Sequence, residues 1–488
     1  MEHRTARALL ERLRTREVSA LELTDAAIAA IEAGDGPLNA VVVRDFDRAR
    51  AAAKSADASR AAGDARPLLG LPMTLKEAFN VAGLPTTWGL PGTPAIPVRQ
   101  DAVVTARLKA AGAVILGKTN VATMLGDWQS ANPVYGVTRN PWDLARTAGG
   151  SSGGGAAAVA AGFVSLEFGS DLASSLRAPA AFCGVYAHKP SWGIVPQRGF
   201  ASPGVPADGP QPAIDLSVLG PLARSPGDLA LALRTVAGPD DREAAAWRLD
   251  LPAPRHAALK AFRVLVLDEH PLLPTAGDIR AALAALASDL ERAGCRVGRG
   301  GPGLPDLAAT AALQMELMMA QFSADTPDDA YAAARAAAET ADPRSGDPGA
   351  ASLRGQALSH RDWIRADRRR FADARAWQGV FADWDVVVCP AMPTAAFAHD
   401  ARPFDSRTLL VDGQAVPYSA QALWGTLATV AGLPATAAPL GLSSEGLPIG
   451  MQIIGPYLED FTTLAFAEAL EGAFGGFTPP PGPSSAGR

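Results

Sequence analysis

Two serine clusters lie close together between residues 149 and 179, and their residue types suit covalent chemistry. The first cluster reads GGSSGGG from Gly149, and the second reads GSDLASS from Gly169. A serine hydroxyl becomes a nucleophile when a base takes its proton, and turns of small residues expose backbone N–H donors for an oxyanion. Neither cluster contains histidine, so the pattern favours a serine hydrolase whose base is not imidazole.

Other interpretations of the first cluster are weaker but stay open. A Gly/Ser-rich run can be a flexible linker. A phosphate-binding Walker loop needs Lys-Ser/Thr after its last glycine, whereas Ala156 follows here. Residues 149–153 match GxSxG formally, but that elbow needs a preceding strand, and residues 141–148 are polar and contain proline. It also needs a histidine, and no supporting motif surrounds His188, His256, His270, His360 or His399.

Lys76 is the alternative base that stands out among the six lysines. It follows the apolar segment 71–75 (LPMTL), which would carry it into the interior of the protein. Burial disfavours the ammonium form, lowers the pKa and turns lysine into a base. The competing interpretation is a surface lysine at the end of a strand. No SxxK motif occurs in the chain, which removes the penicillin-binding type of Ser–Lys hydrolase.

The elements that must position these residues alternate between strand and helix, which indicates an α/β class. Strands are predicted at residues 70–77, 113–116, 164–169, 262–268, 385–389 and 449–454. Helices are predicted within residues 5–35, with Ser19 as an N-cap, then to about residue 62, at 278–292 and through most of 303–380.

Composition limits the classes of function. The chain has 488 residues and is 48% hydrophobic, which is enough for a large core. Its net charge of −6 provides no basic field for nucleic acid. No signal-peptide pattern and no apolar run of about 18 residues occurs, so we expect a cytoplasmic protein without a membrane segment. Cys183, Cys295 and Cys389 lack metal or disulfide spacing and are expected to be reduced core residues.

Several motifs, taken in order, resemble the amidase signature family of Ser–cis-Ser–Lys hydrolases. The motifs are GLPMTLKEAFNVAGLPTT from Gly70, AGAVILGKTN from Ala111, NPVYGVTRNPWD from Asn132, GGSSGGGAAAVAAG from Gly149, GSDLASSLRAP from Gly169, GPLARSPGDLA from Gly220, AGLPATAAPLG from Ala431 and GLPIGMQIIGP from Gly446. Each is only suggestive, but together they cover most of the chain in the family's order.

The resemblance implies a role for each site residue. Lys76 would be the base, Ser151 the bridging serine after a cis peptide bond, and Ser175 the nucleophile. The implied oxyanion-hole donors are the backbone N–H groups of Leu172, Ala173 and Ser174, and the implied supporting residues are Ser152, Asp171 and Arg177.

The resemblance also implies the architecture and the reaction. We expect one domain over residues 1–477, with a mixed twisted sheet covered by helices on both faces, a helical insert at about 303–380 and a disordered tail at 478–488. The implied reaction is cofactor-free and metal-free hydrolysis of a small carboxamide. Ester or carbamate hydrolysis and an amidotransferase-like subunit remain alternatives. No nucleic-acid or membrane partner is expected, and a homodimer is compatible with the sequence.

The chain also departs from the family pattern. Ala173 and Ser174 replace two glycines, which would narrow or reshape the oxyanion pocket. Ala178 stands where glutamine-using amidotransferase subunits usually carry Gln, which favours a free-standing hydrolase. Candidate pocket residues are Trp128, Trp424 and the run Met315, Leu317, Met318 and Met319, although a run at this spacing is also typical of a plain core.

Overall fold

The computed structural model describes residues 3–93, 95–203, 213–301, 303–342 and 345–481. Strands and helices alternate along most of this length. The helices are α1 (Ala6–Arg14), α2 (Ala20–Leu38), α3 (Phe46–Ala61), α4 (Val103–Ala110), α5 (Gly153–Ala160), α6 (Arg177–Cys183), α7 (Pro226–Val236), α8 (Asp241–Ala244), α9 (Gly277–Arg292), α10 (Leu307–Ser323), α11 (Asp328–Thr340), α12 (Pro348–Gly355), α13 (His360–Asp383), α14 (Leu423–Thr429) and α15 (Asp460–Phe474). The strands are β1 (Val41–Arg44), β2 (Pro72–Lys76), β3 (Val114–Thr119), β4 (Ala131–Asn132), β5 (Gly136–Val137), β6 (Leu166–Asp171), β7 (Tyr186–Lys189), β8 (Val218–Ala223), β9 (Arg263–Val266), β10 (Arg296–Arg299), β11 (Val386–Pro390), β12 (Thr408–Val411), β13 (Gln414–Pro417), β14 (Ala435–Leu442) and β15 (Pro448–Ile454).

One large mixed sheet organises the described residues. Its strand order is β1-β3-β2-β6-β8-β7-β14-β15-β11-β9-β10. Strand β2 runs parallel to both of its neighbours, β3 and β6, whereas β6 pairs antiparallel with β8. The predicted α/β class with a mixed sheet is therefore confirmed.

Both faces of the sheet are buried, as alternate residues of β11 show. Val386 and Val388 pack into one apolar cluster with α9, whereas Val387 and Cys389 pack into a second cluster with α13 and α14. Side chains of a strand alternate between the two faces of its sheet, so helices cover both faces here. Such coverage explains why the β11 sequence is continuously apolar instead of alternating.

Most of the predicted elements are present, with shifted ends. Ser19 caps α2 as predicted, because its Oγ accepts from the Glu22 N–H at 3.1 Å while the Glu22 carboxylate accepts from the Ser19 N–H at 2.8 Å. The prediction that the residues after α2 are helical to about residue 62 is wrong at β1, which pairs antiparallel with β3 before α3 begins.

Helices α10 to α13 occupy the region predicted as a helical insert at 303–380. Helix α10 contacts α12, α13 and α14, so this region packs onto the element that leads into β14. Of the predicted disordered tail, residues 478–481 have no regular secondary structure and 482–488 lie outside the described residues.

Two further expectations concern the chain as a whole. Cys183, Cys295 and Cys389 are buried free thiols, as predicted. Within the described residues, no helix combines the length and the apolar character needed to cross a bilayer.

Candidate active site

The ends of two neighbouring strands bring the predicted site residues together. Lys76 is the last residue of β2, and Ser170 and Asp171 end the adjacent parallel strand β6. Parallel neighbours end at the same edge of a sheet. The loop that carries Ser151 meets the same edge, just before α5 begins at Gly153.

Lys76 is completely buried and is surrounded by hydroxyl groups. Its Nζ lies 2.6 Å from Ser151 Oγ, 3.0 Å from Ser152 Oγ and 2.9 Å from Ser170 Oγ. Among the residues that the structure describes, no carboxylate forms an ion pair with it. A buried ammonium without a counter-ion is costly, so these surroundings favour the neutral amine.

The pKa values around Lys76 follow from this burial. Desolvation lowers the pKa of Lys76 to about 7, although the negative charges of Asp171 and Glu167 act in the opposite direction. Burial also raises the pKa of Glu167 to about 8, despite hydrogen bonds from Thr74 and Thr119. Because this raised pKa favours the neutral acid, Glu167 is less able to stabilise the charged form of Lys76.

Small residues allow the Ser151 loop to lie in the interior. The peptide bond between Gly150 and Ser151 is cis, as the resemblance implies. A Cβ on Gly150 would lie 2.2 Å from the Asp127 carbonyl oxygen, and one on Gly155 would lie 2.6 Å from Glu167 Cγ. Neighbouring atoms therefore leave no room for a side chain at Gly150 or Gly155. Helix α5 forms because it is packed on all sides, despite the poor helix propensity of its three glycines.

Asp171 and Arg177 form a buried ion pair that holds the turn between β6 and α6. Arg177 donates from Nε to Asp171 Oδ2 at 3.0 Å and from Nη2 to Oδ1 at 2.8 Å. Arg177 Nη1 also donates to the Gly425 carbonyl on α14 and to Gln452 Oε1 on β15. Burial would raise the pKa of Asp171, but the Arg177 guanidinium holds it below its ordinary value.

Ser174 and Ser175 face different surroundings although they are adjacent. Ser175 is partly exposed and lines a cavity of about 150 Å³ together with Ser151 and Ser170. Ser174 is buried, and its Oγ has no hydrogen-bond partner among the described residues. The structure thus brings Lys76, Ser151 and Ser175 to one site and turns the Ser174 hydroxyl elsewhere.

The predicted oxyanion donors are not equivalent. The Ser174 N–H donates to Asp171 Oδ1 at 3.0 Å, so the ion pair already uses this donor. Leu172 and Ala173 both line the cavity beside Ser175. Their backbone N–H groups have no partner among the hydrogen bonds of the described residues outside the strand ladders.

Two further serines support the site, and the sequence patterns do not single them out. Ser170 supplies the third hydroxyl around Lys76. Ser130 holds the Ser151 loop, because its Oγ accepts from the Gly153 N–H at 2.9 Å and donates to the Ser151 carbonyl at 3.3 Å. Ser170 precedes Asp171 within a family motif, which is a usable signal, whereas Ser130 carries none.

The candidate pocket residues divide between the cavity and the core. Trp128 and Met318 line the cavity. The expectation for Trp424 is wrong, because it is buried in the core and donates to Thr275 Oγ1 at 3.0 Å. Met315 and Leu317 also belong to apolar core clusters, which supports the plain-core interpretation for that part of the run.

The side chains that commonly bind metals are scattered over the described residues. No three His, Cys, Asp or Glu side chains within the described ranges form a group that could hold a metal ion. His188, the buried histidine of β7, contacts Thr436 Oγ1 at 2.9 Å and Asp460 Oδ1 at 3.1 Å. These two contacts link β7 to β14 and α15 and give His188 a structural role.

We predict that Gly425→Ala destabilises the protein through Ser174. An added Cβ would lie 2.1 Å from Ser174 Oγ and 3.3 Å from Arg177 Nη2. Overpacking of this kind typically costs about 1–3 kcal/mol, and chemical denaturation would measure the loss in free energy of unfolding. In the double variant Gly425→Ala/Ser174→Gly, most of the lost free energy of unfolding should be recovered.

The control is Gly379→Ala, on α13, where an added Cβ meets nothing within 4 Å. This variant should be neutral or slightly more stable, because alanine favours a helix over glycine by roughly 0.5–1 kcal/mol. Equal stabilities of Gly425→Ala and the control, or no rescue by Ser174→Gly, would contradict the proposed contact.

The chain is similar to known proteins over most of its length. The Amidase family model matches residues 22–464. The putative amidase AmiA2 of Mycobacterium bovis (strain ATCC BAA-935 / AF2122/97) is 36% identical, over 97% of this chain and 94% of its own length. A glutamyl-tRNA(Gln) amidotransferase subunit from Anaeromyxobacter dehalogenans (strain 2CP-C) is 34% identical, over 96% of this chain and 95% of its own.

The fold is shared as well. A solved structure from a vestigial protein complex, described as revealing the evolutionary origins of an s-triazine catabolic enzyme, superposes with a TM-score of 0.79. It is 32% identical and covers 96% of this chain and 99% of its own. The chain therefore belongs to the amidase signature family, whose enzymes act on amide C–N bonds.

Proposed function

We propose that this protein hydrolyses a carboxamide through an acyl-enzyme on Ser175, with Lys76 and Ser151 as its proton relay. The observation that carries the proposal is the buried Lys76 amine, 2.6 Å from the Ser151 hydroxyl, at a cavity that Ser175 also lines. A nucleophile, a bridging hydroxyl and a base whose pKa is about 7 can together carry out acyl transfer near neutral pH.

The steps of the reaction balance with these three groups. Ser175 Oγ attacks the carbonyl carbon while its proton passes to Ser151 Oγ, and the Ser151 proton passes to Lys76 Nζ. The C–N bond then breaks, and the proton returns through Ser151 to the leaving nitrogen. Water attacks the acyl-enzyme with the same relay as its base, which releases the acid and restores Ser175.

The tetrahedral intermediate carries an oxyanion that needs preorganised donors. We assign this role to the backbone N–H groups of Leu172 and Ala173, which line the cavity beside Ser175. Ser174 is a weaker candidate than its sequence position suggests, because its N–H is donated to Asp171. Removal of one such donor typically costs about 3 kcal/mol of transition-state stabilisation.

Ester and carbamate hydrolysis would use the same acyl-enzyme, and only substrate measurements separate them from amide hydrolysis. A role within an amidotransferase is favoured by the similarity to the glutamyl-tRNA(Gln) amidotransferase subunit from Anaeromyxobacter dehalogenans. Ala178, after Arg177, weighs against this role, because glutamine-using subunits usually carry Gln at that position.

A fluorophosphonate probe should label Ser175, because this serine is partly exposed and lines the cavity. Ser175→Ala should abolish labelling, as measured by intact-protein and peptide mass spectrometry. Ser174→Ala is the matched control and should retain it, because that hydroxyl is buried away from the cavity. Labelling that moves to Ser174, or persists unchanged in Ser175→Ala, would remove Ser175 from the role.

The rate should depend on the protonation of Lys76. Since burial lowers its pKa to about 7, kcat/KM for a neutral substrate should fall about tenfold per pH unit below that value and level off above it. Lys76→Met should lower kcat by about 10²–10⁴-fold. It should also remove the decrease in kcat/KM at acidic pH.

Lys54→Met, at an exposed lysine of α3, is the control and should leave both the rate and the pH profile unchanged. Near-normal kcat in Lys76→Met, with the folded state confirmed by circular dichroism, would defeat the proposed relay.

A further inference from the structure

The walls of the cavity beside Ser175 are mostly apolar and include five aromatic side chains. They come from segments far apart in the chain, including the N-terminal half, the β6–α6 turn, α10 and the segment before β12. The large apolar side chains in the walls include Trp88, Trp128, Phe200, Met318, Phe322 and Phe404.

The only polar group of the Trp88 and Trp128 side chains, the indole N–H, already donates a hydrogen bond within the protein. The Trp128 Nε1–H donates to the Ala173 carbonyl at 2.9 Å, and the Trp88 Nε1–H donates to the Ala78 carbonyl at 3.2 Å. A tryptophan side chain has no other donor. These walls therefore present hydrocarbon and ring faces to a ligand, and the lining side-chain hydroxyls belong to Ser151, Ser170, Ser175 and Ser217.

No unneutralised charge lines the cavity among the residues that the structure describes. Asp127 is the only charged residue in this described lining. Its carboxylate accepts from Arg407 Nη1 at 2.6 Å and from the Tyr418 hydroxyl at 2.7 Å. A substrate carboxylate or ammonium would lose its hydration here without gaining an opposite charge, which is strongly unfavourable.

The walls are also held in place by buried polar contacts. The Glu77 carboxylate accepts from the backbone N–H of Trp88 at 2.9 Å and of Thr87 at 2.7 Å. Glu77 directly follows Lys76, so the end of β2 fixes both the base and one aromatic wall. The apolar surface is consequently part of the same rigid unit as the relay.

We propose that the substrate is an uncharged carboxamide with an apolar group about the size of a phenyl ring. The cavity volume of about 150 Å³ is similar to that of an engineered apolar cavity that binds benzene, about 150 Å³. The same walls exclude free glutamine and other amides that carry a charged group. This inference rests on the proposed function and specifies its substrate class.

Competition with the fluorophosphonate probe tests the inference without requiring turnover. Benzamide and acetanilide place the ring on the acyl and the amine side of the amide, and 4-carbamoylbenzoate adds a carboxylate to benzamide. Benzamide or acetanilide should slow Ser175 labelling at concentrations at least tenfold lower than 4-carbamoylbenzoate, and glutamine should give no protection. Hydrolysis rates of the same compounds, measured by product release, should follow the same order.

Met318→Lys provides the matched test of charge. Met318 lies on the cavity wall, so a lysine there should increase protection by 4-carbamoylbenzoate at least tenfold and weaken protection by benzamide. The control Leu353→Lys adds the same charge at an exposed position of α12 and should change neither.

The two proposals fail in different ways. Absence of any Ser175 labelling in the wild-type protein would overturn the proposed function, and the substrate inference with it. Labelling that 4-carbamoylbenzoate or glutamine blocks as well as benzamide does, or that no neutral amide slows, would overturn the substrate inference alone.

Discussion

The burial of an uncompensated Lys76 amine is the constraint on which the rest of the site depends. Lysine at the surface is charged and cannot act as a base near neutral pH, whereas desolvation inside the protein lowers the pKa of Lys76 to about 7. The end of β2 provides this position, because β3 and β6 flank it on both sides and helices cover both faces. Three hydroxyls then satisfy the amine without restoring its charge.

The nearby carboxylates are arranged so that they do not raise the pKa of Lys76 back to its ordinary value. Asp171 is within electrostatic reach of Lys76, but its charge is paired with Arg177, which also bonds to α14 and β15. Glu167 is buried between Thr74 and Thr119, and its raised pKa favours the neutral acid. The ion pair therefore has two effects: it fixes the turn that carries Ser175, and it lowers the negative field that would otherwise hold a proton on Lys76.

The site is more predictable from the sequence than the cavity around it. Lys76, Ser151 and Asp171 occur in contiguous motifs whose residue types already limit their chemistry. Trp88, Phe200 and Phe404 come from separate loops, and only tertiary packing brings them to one wall.

The strands show the same limit. Segments 385–389 (DVVVC) and 449–454 (IGMQII) are mostly apolar and predict strands, whereas β14 is rich in alanine and has low strand propensity. It is a strand because it pairs with both β7 and β15. Likewise, of Met315, Leu317 and Met318 only Met318 lines the cavity. The helical spacing of residues 315–319 could not predict this, because the helices packed around α10 determine which side chains reach the cavity.

The two replacements of glycine before Ser175 act on opposite sides of the turn. Ser174 has a φ of +71°, a conformation that glycine tolerates best, and its side chain lies against Gly425, where any Cβ would collide with it. Gly425 on α14, which has no side chain, thus provides the space that the Ser174 side chain needs. The Ser174 side chain therefore does not narrow the cavity. Ala173 instead lines the cavity, and its carbonyl anchors Trp128. Ala173 therefore narrows the apolar cavity beside the proposed oxyanion site, whereas Ser174 imposes a packing requirement that Gly425 meets.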